Sequence, residues 1–362
     1  MARFARTART PLAEYSARRI AILKPSALGD IVHALPVLSA LRSRYPLSHI
    51  TWVVNRSFEP LLIGNPDLDA TLSIDRGGFR GGLWHMADMV SSLASKLRHG
   101  RFDLVVDLQG LLRTGLMAGF TGAMRKVGLS TAREGSHLFY TDTIASPNLQ
   151  ESHAVDRLWR VAEAFGVGDQ PKRFPIAVQP IANEWVESQL QKCARPWIVV
   201  AAGARWLTKR WPPEHFAELV NRAQSKFGGT AIVVGTRDEQ DIGLQLSAKV
   251  AGPVKDFSGL TSLSQLIAIL SKADVMLAND TGPLHVATAL GRPVVSPYTC
   301  TSVRLHGPYG VERGPVESAI WCQGSYRKKC DRMECMSELQ PDRLWYFLHE
   351  VLAKWSRSSR SA

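Results

Sequence analysis

A short apolar run followed by a stretch of helical periodicity recurs along this 362-residue chain, in two successive series. Strand then helix, repeated, is met by parallel strands lying side by side with their connecting helices covering both faces of the sheet. In the first series the runs are RIAILK (19–24), HITWVV (49–54), ATLSID (70–75) and DLVVDL (103–108), with helical spacing between them, as in MADMVSSLASKLRHG. Residues 152–166 place Val155, Leu158, Val161, Ala162 and Phe165 on one helical face. The Pro-punctuated segment QPKRFPIAVQP that follows reads as a linker. The series then restarts with WIVVAAG (197–203), TAIVVGT (230–236), ADVMLAND (273–280) and RPVVSPY (292–298). Helical patterns separate these runs, one opening on the proline pair Pro212-Pro213, and PDRLWYFLHEVLAKW (341–355) closes the chain.

The fold class expected is therefore α/β, with two doubly wound domains at 19–175 and 176–340. Residues 1–18 form a basic N-terminal extension, and 341–362 a C-terminal helix and basic tail. The length suits two domains, each able to bury a full core. With 45% hydrophobic and 21% charged residues, the chain has globular proportions, which excludes disordered and collagenous classes. No run of 18 apolar residues occurs, so no helix that spans a membrane is expected. The N-terminus is basic but has no apolar stretch of the kind a secretory signal needs, so the chain reads as cytoplasmic.

Formal net charge is +12, and more than half of it sits at the two ends. Arg3, Arg6, Arg9, Arg18 and Arg19 face only Glu14, while Lys354, Arg357 and Arg360 close the chain. Basic tails suit an anionic membrane surface or simple solubility, and no basic, aromatic-interleaved segment marks a nucleic-acid groove. Five cysteines, Cys193, Cys300, Cys322, Cys330 and Cys335, form no CxxC pair, so reduced thiols are expected rather than a disulfide framework or a zinc site.

Ligands of doubly wound sheets bind beyond the carboxyl ends of the strands, so a cleft between the halves is the expected site. Three motifs fall there. Lys24-Pro25-Ser26-Ala27-Leu28-Gly29-Asp30 follows the first strand; Asp30 offers the cleft a carboxylate, or merely caps a helix. Asn279-Asp280-Thr281-Gly282-Pro283-Leu284-His285 stands between a strand and a helix, where backbone N–H groups and the Thr281 hydroxyl would meet an anion. The loop from Ala202 to Pro212 offers Gly203 for close backbone approach and Lys209 as a point charge for a diphosphate; the plain alternative is a solvated basic loop. No GxGxxG or Walker A pattern accompanies them.

These stretches, ILKPSALGDIVHALPVLSALRSRYP, FDLVVDLQGLLRTG, GARWLTKRWP and NDTGPLHVATALGRPVV, resemble the lipopolysaccharide heptosyltransferases of glycosyltransferase family nine, over nearly the whole chain. HITWVV and SHAVDRLWR look most like the inner-core heptosyltransferase I type. The resemblance implies a GT-B fold, two Rossmann-like domains facing across a cleft with the last helix packing back on the first domain. It also implies inverting, metal-independent transfer of heptose from ADP-heptose to Kdo–lipid A, without a cofactor, peripherally at the cytoplasmic face of the inner membrane. By the same likeness Asp30 is the catalytic base. Lys209 binds the donor diphosphate, Asp280, Thr281, Gly282 and His285 form the donor site, and Thr261 lies where the adenine is read. Lys24, Ser26, Gln109 and Arg113 lie on the acceptor side. Thr236-Arg237-Asp238-Glu239 departs from the family pattern, so the ribose contact shifts to Asp238 or Glu239 or is lost. Ser325 stands where related chains carry another cysteine. Alternatives are a family-nine transferase of a later heptose or another sugar, and a nucleotide-sugar epimerase of the same architecture. Asp67-Leu68-Asp69 spells a metal-binding DxD but reads as turn chemistry.

Overall fold

The computed structural model describes residues 9–75 and 83–359. Among them, twelve strands form two six-stranded sheets in which every pairing is parallel. The first holds β1 (Arg19–Leu23), β2 (His49–Asn55), β3 (Ala70–Ile74), β4 (Leu104–Asp107), β5 (Arg125–Leu129) and β6 (Asp142–Ile144), in the order β3-β2-β1-β4-β5-β6. The second holds β7 (Trp197–Ala201), β8 (Thr230–Val233), β9 (Val254–Asp256), β10 (Val275–Ala278), β11 (Val294–Tyr298) and β12 (Pro315–Glu317), ordered β12-β11-β10-β7-β8-β9. Counted from its own first strand, each sheet runs 3-2-1-4-5-6, the doubly wound order. The strand order therefore reverses between β1 and β4 in one sheet and between β7 and β10 in the other, and a crevice opens at each reversal.

Helices in chain order are α1 (Leu28–Arg44), α2 (Leu83–His99), α3 (Leu112–Thr121), α4 (Ala154–Ala164), α5 (Pro180–Leu190), α6 (Pro213–Phe227), α7 (Gln240–Ser247), α8 (Leu263–Ser271), α9 (Gly282–Ala289), α10 (Val303–His306), α11 (Glu334–Glu338) and α12 (Pro341–Ser359). The central strands β1, β4, β7 and β10 are buried on both faces, apart from the first residue of β1, which explains their continuous apolar runs. Helix α4 packs on α1, and α5 packs on α8 of the second half. One buried apolar cluster runs from Ile20 and Leu35 through Val199 and Met276 to Leu284, so the two halves share buried apolar packing.

Two details differ from the sequence reading. Among the described residues, helix α12 packs on the second half rather than back on the first domain: it lies against α6 and strands β10 to β12. Its stripe Leu344, Leu348 and Leu352 is fully buried in one cluster with Ile198, Phe216 and Leu219. The N-terminal extension is also not a free tail throughout. Ala17 is buried, and the Arg18 and Arg19 amides donate to Asp103 at 2.7 and 2.8 Å. Arg3, Arg6 and Arg360 lie outside the described residues.

Four strands lacked an apolar run. β6, β9 and β12 are three residues long. β5 begins with Arg125, buried because its guanidinium donates twice to Asp142, at 2.9 and 2.7 Å. Asp67 and Asp69 are both engaged structurally: Asp67 accepts from Ser39, and Asp69 from Arg42 and, at 2.7 Å, from the Ile50 amide.

Candidate active site

At the first crevice, α1 begins directly beyond β1. Its third residue, Asp30, is half-buried and accepts the Ala27 amide at 3.0 Å through Oδ2. The capping role is thus real, and it uses one oxygen of the carboxylate. Lys24, buried beneath, donates to the Leu108 carbonyl at 3.0 Å and ties the end of β1 to the loop after β4. Burial lowers the Lys24 pKa, opposed by the nearby Asp30 and Asp107 carboxylates. Ser26 is buried in the same loop. Gln109 sits where the loop leaves β4, its Oε1 buried without a hydrogen-bond partner, and Arg113 is exposed in the first turn of α3.

The second crevice gathers the remaining motif residues. Lys209, in a single 3-10 turn after β7, donates to Asp280 Oδ2 at 2.6 Å, and its ammonium lies 4.7 Å from the Trp206 ring centre. Thr301 also donates to that oxygen, at 2.6 Å, while His285 Nε2 lies 3.6 Å from Oδ1. Burial alone would raise the Asp280 pKa; the neighbouring His285 ring and the Lys209 charge outweigh it and hold the carboxyl well below its usual range. Thr281 is the N-cap of α9, yet its Oγ1 is buried without a partner, so a hydroxyl stands unused at a helix's positive end. Gly203 leaves room for Glu239, since a Cβ there would come within 2.2 Å of the glutamate Cδ. Glu239 accepts from the Thr236 amide and hydroxyl at 2.8 and 2.9 Å. Of the two acids that the sequence offered for the ribose, Glu239 is thus the one laid over Gly203, and Asp238 is exposed. Thr261 is half-buried just before the N-cap of α8.

The crevices face each other because α1 and α9 abut N-terminus to N-terminus. A Cβ on Gly29 would lie 2.7 Å from His285 Cδ2, and one on Gly282 would lie 2.8 Å from Leu28 Cβ. Both glycines serve close approach rather than a special backbone angle. His306 of α10 lies within electrostatic reach of both Asp30 and Asp280. Its pKa falls to about 4, through burial first and the Arg157 charge second.

Sequence reasoning missed Arg157, Thr301 and Tyr326 here, as well as His33 and His153. Arg157 of α4 is buried within electrostatic reach of Asp30, and Tyr326 bonds His306 Nδ1 at 2.7 Å. No sequence signal singled out Arg157, since its burial appears only in the fold. All five cysteines are free thiols, and among the described residues no three His, Cys, Asp or Glu side chains converge as metal ligands. No described helix is long and apolar enough to cross a membrane.

A family model described as glycosyltransferase family 9 (heptosyltransferase) matches residues 90–336. The chain is 27% identical over 302 residues to the lipopolysaccharide core heptosyltransferase OpsX of Haemophilus influenzae, covering 83% of this chain and 84% of that protein. It is also 27% identical over 320 residues to lipopolysaccharide heptosyltransferase 1 of Pseudomonas aeruginosa, covering 86% and 87%. The solved structure of Escherichia coli ADP-heptose lps heptosyltransferase II superposes with a TM-score of 0.77 at 22% identity, covering 93% of this chain and 99% of that one.

Proposed function

The chain belongs to glycosyltransferase family 9, and on that premise we propose that this lipopolysaccharide heptosyltransferase transfers heptose from ADP-heptose to Kdo–lipid A, with Asp30 as general base. The observation that carries the proposal is the pairing of two features across one gap. On one side, a carboxylate with one oxygen committed to a cap stands in the first turn of α1. On the other, an unpartnered threonine hydroxyl stands at a helix N-terminus beside a lysine.

The chemistry follows from charge. An acceptor hydroxyl is a weak nucleophile at neutral pH, and a positioned carboxylate that accepts its proton contributes about 10²–10⁴-fold. As the sugar–phosphate bond breaks, the leaving diphosphate gains negative charge. The Thr281 hydroxyl and the α9 terminus are oriented in advance to receive it, and Lys209, held next to them by Asp280, turns to it, which is the electrostatic term that commonly dominates. Attack from the Asp30 side and departure toward Lys209 invert the sugar carbon. The nucleoside lies along Gly203, Glu239 and Thr261, with Asp280 and His285 toward the sugar. Lys24, Ser26, Gln109 and Arg113 hold the acceptor, the unpaired Gln109 carbonyl offering a bond to a sugar hydroxyl. That the named relatives are lipopolysaccharide heptosyltransferases supports this acceptor class, and likeness to the Escherichia coli ADP-heptose enzyme supports the donor. Such an acceptor is anchored in a membrane, so the enzyme works peripherally at its cytoplasmic face.

Purified protein incubated with ADP-heptose and Kdo–lipid A is expected to add one heptose mass to the acceptor, with excess EDTA making no difference. Asp30→Ala should cut transfer at least 100-fold while ADP binding stays within about twofold. Equal loss of binding and transfer would refute the base assignment, and an isomerised donor with unchanged acceptor would point to an epimerase.

A further inference from the structure

Nothing in the reaction above uses His33, yet its ring is placed where the two halves of the enzyme touch. His33 is buried, one helical turn beyond Asp30 on α1. Its Nε2 lies 3.2 Å from His285 Nδ1, and the two rings meet edge-on, with centroids 4.4 Å apart. The other nitrogen of His285 faces Asp280, the carboxylate that also holds Lys209. Four side chains thus form a chain, Lys209–Asp280–His285–His33, that begins at the donor-site cation and ends on the helix that carries the base.

The partners decide the protons. An ionised carboxylate only accepts, so the His285 nitrogen that faces Asp280 is the one with hydrogen, Nε2. Its Nδ1 is then a lone pair, and the 3.2 Å contact requires His33 to donate from Nε2. That leaves His33 Nδ1 bare, in agreement with its burial without any partner. A proton there would have nothing to bond. Burial lowers the His33 pKa well below its usual value, and His285, His153, His306 and Lys24 around it act in the same direction.

We infer that His33 is a positioning residue: its Nε2–H locks His285 in the tautomer that turns its own Nε2–H toward Asp280, and so registers the Asp30 helix against the donor site. On this reading His33 acts through His285, by orientation. Gly29, which lets His285 come this close to α1, belongs to the same device. The inference rests on the reading of Asp280 and Lys209 as donor-site residues.

Two measurements test it. In full-length protein with ¹⁵N-labelled histidine rings, the His285 resonances, assigned by loss in His285→Gln, should show hydrogen on Nε2 and none on Nδ1. In His33→Ala that single tautomer should give way to a mixture. A His285 ring protonated at Nδ1 in the unsubstituted protein overturns the inference, whatever the substrate proves to be. In the transfer assay, His33→Ala should lower kcat about tenfold or more. His33→Gln, whose amide can still donate to Nδ1, should recover most of the loss, while the isosteric apolar His33→Leu should not. Equal loss in the Gln and Leu variants would reduce His33 to core filling. Failure of the underlying donor reading shows separately, as absence of ADP binding to the unsubstituted protein.

Discussion

Asp280 illustrates how one residue can hold a site in readiness. Its carboxylate collects Lys209, Thr301 and His285 in a nearly closed interior, and a buried ion pair survives there only because those partners satisfy it. Donor phosphate would then compete with Asp280 for the lysine it already holds, and the ammonium would shift from a fixed carboxylate to a developing anion. Lys209→Ala removes a charge-assisted bond of about 1.5–3 kcal/mol, so the Kd for ADP should rise roughly 10- to 100-fold by titration calorimetry. An unchanged Kd would take Lys209 out of the donor site. The same substitution should leave heptose-acceptor affinity unaltered, because Lys209 belongs to the second crevice.

Among the secondary-structure elements, the decisive contact is between the first turns of α1 and α9. Helices this close need small residues where they touch, and Gly29 and Gly282 occupy those points. Gly282→Ala would place a methyl group 2.8 Å from Leu28 Cβ, an atom fixed to the backbone rather than a flexible chain end. Such overpacking costs about 1–3 kcal/mol. The urea midpoint should fall accordingly, and transfer should fall further than stability does, because the displaced helix carries Asp30. A variant with normal stability and normal rate would mean that the two helices do not meet as described.

For the molecule as a whole, the interface between the halves gathers several histidines, His33 and His285 buried and His153 and His306 half-buried. His33, His153 and His306 all have lowered pKa values, with burial the first cause in each. Around His153 the network extends to Gly307 at 3.0 Å and, through ring contact, to Tyr309, which bonds Asp156 at 2.7 Å. A histidine whose folded pKa is depressed takes its proton first in the unfolded chain. Its full stability contribution is therefore present above the unfolded value of about 6.5. Stability is lost as pH falls from there toward the folded value, about 4 for His306. Each such group can tilt stability by up to about 1.4 kcal/mol per pH unit within that window. Urea unfolding at pH 7.5 and pH 5.0 should show a clearly lower midpoint at the acid value. A flat profile across that range would show these rings to be exposed to solvent protons in the folded state.

The alternation of apolar runs with 3.6-residue periodicity was enough to determine two parallel, doubly wound sheets, because strand burial and helix amphipathicity are local properties written in neighbouring residues. For the same reason the loops at the strand ends were legible as sites: Asp30, Lys209 and the Asp280–His285 turn each follow a recognisable strand, and the strand order brings them to the two reversals. What covers what was not legible. The stripe Leu344, Leu348, Leu352 announces a buried helix face but not the sheet it will cover, and only the fold put it on the second domain. β5 stayed hidden because Arg125 is made tolerable by Asp142, a partner seventeen residues away. His33 and His285 lie 252 positions apart, and no local pattern tells one ring that the other will be 3.2 Å from it. Short-range periodicity encodes elements; contacts across the interface exist only once both sheets have folded and docked.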